Sequence, residues 1–250
     1  MRVALPRWVC LDVETNLRRL PGIAATGADR GAELVVFPEL FLHGYSQSVE
    51  PDELRTAFAA VSARHPASFF VFGSHSEEES NRSTLWHAGR EVARYDKVHL
   101  FLPNREDSRW HPGDRYVAVR LPQATIGLLT CNDVRFPEQA RALRLEARCD
   151  VLVVVAWWPW RRHEVWETLL RARAIENGVF VLGCCIAGCE TPAERFAGAG
   201  NCVFDPLGEP LRTPDDLIYE LELTRAAEVL VDPLRTFCRI DQVEIVDASG

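Results

Sequence analysis

Short apolar runs alternate along the chain with longer stretches of mixed polarity, as expected for buried strands separated by helices. Arg2–Leu5 is the first such run. Asp12 to Arg30 reads as helical, with Pro21-Gly22 placed to kink or split it. Glu33–Phe37 is β-branched and aromatic and stops at Pro38, which predicts a buried strand. A helix is predicted over Asp52–Ala63, with Pro51 suited to its first turn. Ser68–Ser74 predicts another buried strand, and Thr84–His87 with Val92–Lys97 predict a hairpin turning at Ala88-Gly89-Arg90.

From Phe101 to Tyr116 periodicity is lost among prolines and aromatics, the character of a long loop that carries function. Strand patterns return at Val117–Leu121, Thr125–Thr130, Val151–Ala156, Val179–Cys185, Asn201–Phe204 and Leu217–Leu223. Helices are predicted over Pro137–Glu146 and over Glu164–Asn177, the second stopped at Asn177-Gly178; Asp205-Pro206-Leu207-Gly208 is a turn. No repeat, low-complexity tract or linker interrupts the series, so one α/β domain over residues 1–250 is predicted, with more strands than one doubly wound sheet needs.

Composition narrows the function classes. With 250 residues and 47% apolar content the chain is long enough to bury about three quarters of its unfolded surface without a disulfide or metal staple. A net charge of −8 argues against nucleic acid or an anionic membrane as partner. The longest apolar stretch, Val151–Trp160, is about half a membrane span, and no signal segment opens the chain, so a cytoplasmic protein is expected. The eight cysteines are too sparse for a disulfide framework and lack zinc-site spacing; no metal or organic cofactor is expected.

Three candidate side chains stand at the ends of predicted strands. Glu39, directly after Val35-Val36-Phe37-Pro38, is a poorly hydrated carboxylate suited to general-base work, or else a capping or surface glutamate. Lys97 ends another strand and is either a fixed charge for an oxyanion or a partner of Asp96 at the surface. Cys131, alone among the cysteines, sits where a buried strand meets polar residues and a helix start, a setting that suits a nucleophile.

The contexts of these three resemble the carbon–nitrogen hydrolase (nitrilase) superfamily across nearly the whole chain. Phe37-Pro38-Glu39-Leu40 resembles its glutamate motif, Tyr95-Asp96-Lys97-Val98-His99-Leu100-Phe101 its lysine motif, and Cys131-Asn132-Asp133-Val134-Arg135-Phe136-Pro137-Glu138 its cysteine motif. Further likeness lies in Asn16-Leu17, Gly31-Ala32-Glu33-Leu34, Leu169–Asn177 and Asp205-Pro206-Leu207-Gly208. The order agrees as well, with 58 residues from Glu39 to Lys97 and 34 from Lys97 to Cys131.

This resemblance implies a four-layer αββα sandwich, paired into a homodimer, with Trp160–Trp166 and the C-terminal segment as the expected dimer patch. It implies a Glu39-Lys97-Cys131 triad, the backbone N–H of Asn132 as oxyanion donor, and Glu106, ahead of Pro112-Gly113, as a second glutamate orienting Lys97 or the substrate. The expected reaction is amide hydrolysis through a thioester. Tyr45, Trp110, Trp157 and Trp158 are candidate pocket walls, and Arg161 or Arg162 a candidate carboxylate contact or else a surface or interface residue.

Asn132-Asp133 replaces the Trp-Glu that follows the cysteine in nitrile-hydrolysing members, which argues against nitriles. Asp133, Arg135, Phe136 and Pro137, the segment Ala156–Arg162 and the compact length resemble the ω-amidase-like branch. A small monoamide of a dicarboxylic acid is therefore the expected substrate. Cys131-Asn132-Asp133 also resembles N-carbamoyl-D-amino-acid amidohydrolases, although Val134 stands where those carry a first arginine, and that remains the alternative. A histidine-dependent cysteine hydrolase lacks any recognised partner motif, and a non-catalytic binding protein is disfavoured by three intact triad positions.

Overall fold

The structure, a computed structural model, describes residues 1–191, 193–225 and 243–247. In chain order the elements are β1 (Arg2–Ala4), β2 (Val9–Cys10), α1 (Val13–Ala28), β3 (Leu34–Phe37), α2 (Pro51–Arg64), β4 (Phe69–Glu77), β5 (Ser80–His87), β6 (Arg90–Asp96), β7 (Tyr116–Arg120), β8 (Thr125–Thr130) and α3 (Pro137–Leu145). There follow β9 (Val151–Ala156), α4 (His163–Asn177), β10 (Phe180–Cys185), β11 (Gly188–Glu190), β12 (Arg195–Ala197), β13 (Cys202–Phe204), β14 (Ile218–Glu220) and β15 (Val243–Asp247).

Two six-stranded sheets form the centre, ordered β14-β1-β3-β4-β5-β6 and β13-β10-β9-β8-β7-β15. Their facing sides meet in one apolar layer that includes Val3, Leu34, Val36, Val71, Val117, Ile126, Val153 and Leu182. Helices α1 and α2 cover the outer face of the first sheet, and α3 and α4 that of the second. Buried on both faces, the central strands read as continuous apolar runs, because alternation has no solvent side to report. The fold is the αββα sandwich.

Local rules account for most element ends. Asp12 caps α1 by accepting the Thr15 backbone N–H, prolines occupy the first turns of α2 and α3, and Gly178 ends α4 in the left-handed region at φ 60°. Pro21-Gly22 does not split α1, which runs unbroken from 13 to 28. Leu20, Ala24 and Gly27 lie buried on both sides of the proline, and their packing against β1 and β3 outweighs the missing hydrogen bond, which costs about 3 kcal/mol. The strand expected at Leu217–Leu223 shrinks to Ile218–Glu220, and the strands expected at Ser68–Ser74 and Thr84–His87 are longer and joined: β4 runs to Glu77 and turns at Glu78-Glu79 into β5, which begins at Ser80. Neither β15 nor the small third sheet β12-β11-β2 is visible in the polarity pattern.

Candidate active site

Lys97, Cys131 and Trp157 each directly follow a strand, β6, β8 and β9, and Glu39 stands one residue past the end of β3; β3 and β6 belong to one sheet, β8 and β9 to the other. Strand ends provide rigid backbone, and the two sheets bring these four ends to one place. Here the close approach of backbones requires glycine. A Cβ on Gly73, at φ +22°, would stand 1.7 Å from Pro38 O, so only glycine lets the irregular part of β4 pass beneath Glu39. A Cβ on Gly113 would meet Asp96 O at 2.2 Å; its N–H donates to Lys97 O at 2.9 Å.

The charged centre is fully buried. Lys97 Nζ donates to Glu39 Oε1 at 2.9 Å and lies 3.0 and 2.9 Å from the two oxygens of Glu106. Glu39 also accepts Asn81 Nδ2 at 3.0 Å and the Trp157 backbone N–H at 2.8 Å. Glu106 accepts the Tyr45 hydroxyl at 2.6 Å and the Phe101 backbone N–H at 2.7 Å. The expected long loop carries Glu106 on a short 3₁₀ turn, Glu106–Ser108, entered through Arg105 at φ 53°.

Burial pushes the Glu39 carboxyl up; the Lys97 ammonium pulls it back and Glu106 raises it again. Burial alone would depress Lys97, but the charges of Glu39, Cys131 and Glu106 reverse that and hold the ammonium above its ordinary value. The Cys131 thiol is held well above its ordinary value by burial and by Glu39, which favours the protonated form. Burial likewise keeps Tyr45 a phenol, a donor toward Glu106.

Cys131 occupies the left-handed region at φ 49°, a strained position for a residue with a side chain and one that recurs at functional turns. Asp133 holds that turn. It accepts the Thr130 backbone N–H at 2.8 Å and the Tyr95 hydroxyl at 2.6 Å on one oxygen, and the His99 backbone N–H at 2.9 Å on the other. The Cys131 turn is thereby tied to the strand end that bears Lys97. The Asn132 side chain donates to His99 O and Leu100 O, both at 3.2 Å, adding a second tie to the same segment.

Cys131 lies on a cavity of about 560 Å³. Tyr45, Trp157 and Trp158 line it, with Phe101, Asn132 and Phe196. Trp110 does not: it packs behind Tyr45, ring centres 5.8 Å apart, and donates Nε1 to Ser76 Oγ at 2.8 Å. A buried indole N–H needs an acceptor, and Ser76 supplies it away from the cavity. Three participants escape a reading of the sequence. Asn81 bonds Glu39 but sits in a polar hairpin end with no apolar frame, while Glu194 and Arg195 line the cavity from a short segment of no regular pattern.

Among the described residues no group of three or more His, Cys, Asp or Glu side chains is arranged to hold a metal ion, and the Lys97 ammonium fills the space between the two carboxylates. The described cysteines are free thiols, and Cys238 lies outside the described residues. No described helix is long and apolar enough to cross a membrane. Trp160, from the expected dimer patch, is 58% exposed and stands on the cavity rim; the C-terminal part of that patch falls largely outside the described residues.

A sequence model of the carbon-nitrogen hydrolase family matches residues 2–221. The chain belongs to the carbon–nitrogen hydrolase family. It is 33% identical over 205 residues to a 2-oxoglutaramate amidase of Paenarthrobacter nicotinovorans, covering 74% of this chain and 69% of that protein. It is also 33% identical over 220 residues to omega-amidase YafV of Escherichia coli K12, covering 83% and 81%. A solved variant of the Nesterenkonia AN1 amidase from the nitrilase superfamily superposes with a TM-score of 0.78 at 25% identity, covering 94% of this chain and 96% of that one.

Proposed function

We propose that this hydrolase cleaves the terminal amide of a small dicarboxylic acid monoamide to acid and ammonia, through a thioester on Cys131. The observation that carries the proposal is the buried Lys97 ammonium between Glu39 and Glu106, with the Cys131 thiol at the wall of the cavity. Glu39 takes the thiol proton as sulfur adds to the amide carbon. Two of the three Lys97 N–H bonds go to carboxylates, which leaves the third for the developing oxyanion, together with the Asn132 backbone N–H. One such donor is worth about 3 kcal/mol in the transition state. Glu39 then gives the proton to the departing nitrogen, the C–N bond breaks, and ammonia leaves. A water, deprotonated by Glu39, adds to the thioester carbon; the acid departs and the thiol is restored. Glu106, held by Tyr45 and Phe101, fixes Lys97.

The two amidase relatives support the substrate class, since their names specify ω-amides. A second copy covering the exposed Trp160 and Val165 belongs to the same proposal. The test is ammonia release from succinamate and 2-oxoglutaramate set against N-carbamoyl amino acids. The monoamides are expected to turn over, and Cys131→Ala to abolish release while unfolding as the parent does. Carbon dioxide release from carbamoyl substrates with none of the former would replace this reading by the carbamoyl one, and ammonia release surviving in Cys131→Ala would remove the thioester.

A further inference from the structure

Four arginines line the cavity beside Cys131, namely Arg135, Arg161, Arg162 and Arg195, against one carboxylate, Glu194. None of the four is ion-paired to a carboxylate among the described residues. This concentration of cation runs against a chain whose net charge is −8. Such a cavity attracts an anion.

Arg162 is held unlike the others. The Trp158 indole N–H donates to its carbonyl oxygen at 2.9 Å, which pins the backbone. Its Cζ stands 5.2 Å from the centre of the Phe101 ring and 5.3 Å from that of Trp158, and both rings line the cavity. Ring faces stabilise a guanidinium without using its N–H bonds. Its Nε is buried and finds no protein acceptor. An orphaned buried donor is unfavourable, and an arriving acceptor relieves it. Neighbouring Arg161 is exposed, and Arg135, 4.8 Å from the Trp158 ring centre, adds a second positive charge nearby. A planar fork, preset by two rings, matches a carboxylate through paired N–H···O bonds.

We propose that Arg162 reads the carboxylate at the end of the substrate remote from the scissile amide, and so sets the preference of this hydrolase for anionic monoamides over neutral amides. This rests on the amidase reading of the Cys131 cavity.

The test compares Arg162→Met and Arg162→Lys with the parent on succinamate and on butyramide, its neutral analogue of the same length. In Arg162→Met the succinamate-to-butyramide ratio of kcat/KM is expected to fall at least 30-fold, mainly through KM for succinamate, with partial recovery in Arg162→Lys. Equal losses on both substrates, or an unchanged ratio, would overturn the assignment. A readout independent of turnover is protection of Cys131 from iodoacetamide by succinate, followed by mass spectrometry. The half-protecting concentration is expected to rise at least tenfold in Arg162→Met. If the parent leaves succinamate intact yet succinate protects through Arg162, the substrate reading fails and the carboxylate assignment stands. Protection independent of Arg162 overturns the assignment whatever the turnover.

Discussion

The Lys97 ammonium meets Glu39 Oε1 at 2.9 Å with both side chains fully buried, although 58 residues separate them in the chain. Their strands, β3 and β6, run the same way in one sheet with β4 and β5 between them, so both residues lie at the same end of the sheet. A buried pair of this kind is held by its partners: each charge removed leaves the rest uncompensated.

Replacing Lys97 by Met therefore leaves two buried carboxylates, Glu39 and Glu106, with no cation between them. We expect a loss of about 3–5 kcal/mol in unfolding free energy. Urea unfolding at neutral pH measures it, and part of the loss should return at acid pH, where the carboxyls protonate. A stability equal to that of the parent would show that the carboxylates find other neutralisation.

Glu39→Gln keeps the shape and removes the proposed base. The rate is expected to fall about 10²–10⁴-fold. The parent should also show a specific pH signature. In the proposed mechanism Glu39 must be ionised to accept the thiol proton, and burial raises its pKa. Activity should therefore fall on acidification at a midpoint above the ordinary carboxylate value of 4.5. A kcat/KM profile with its acid limb at or below that value would remove Glu39 as the base.

His43 gives a pH effect on stability. Burial, with a smaller contribution from His75, lowers its pKa from 6.5 to about 4 against the opposing pull of the Gly44 carbonyl. The neutral ring accepts the Ser76 backbone N–H on Nε2 and lies 2.6 Å from Gly44 O through Nδ1. As pH falls through 6.5 the unfolded chain takes up a proton that the folded chain refuses. The stabilisation is thus complete above 6.5 and declines by about 3 kcal/mol towards pH 4. Chemical unfolding of the parent and of His43→Asn across pH 4–7 should show the steeper slope in the parent; parallel slopes would contradict it.

Gly73→Ala places a methyl 1.7 Å from Pro38 O and 2.5 Å from its carbon. Neither backbone can yield without moving Glu39. We expect a loss of about 3 kcal/mol or more, with activity falling in whatever fraction still folds. Thermal unfolding and ammonia release measure the two, and a fully active, stable variant would show that the strand can retreat.

Local pattern carries much of this protein. Continuous apolar runs mark β3, β4, β8, β9 and β10 because strands buried on both faces have no other composition available. Capping residues, prolines and Gly178 mark the ends of helices through short-range hydrogen bonding and backbone sterics. Glu39 and Cys131 stand out because each is a reactive group at the end of such a run, and Lys97 because it closes the strand pattern of β6.

What the chain determines by itself is this set of strands, their ends and the chemistry placed on them. The tertiary structure alone decides which ends meet. It gives Asn81 to Glu39 across 42 residues and the Trp157 backbone N–H to the same carboxylate across 118. It turns Tyr45 into a donor to Glu106, draws Trp110 back behind it, keeps α1 whole through Pro21, and sets Arg162 between two rings. The physical reason is range. Polarity period and capping are settled within a few residues, whereas these contacts depend on sheet packing between segments whose sequences carry no mark of one another.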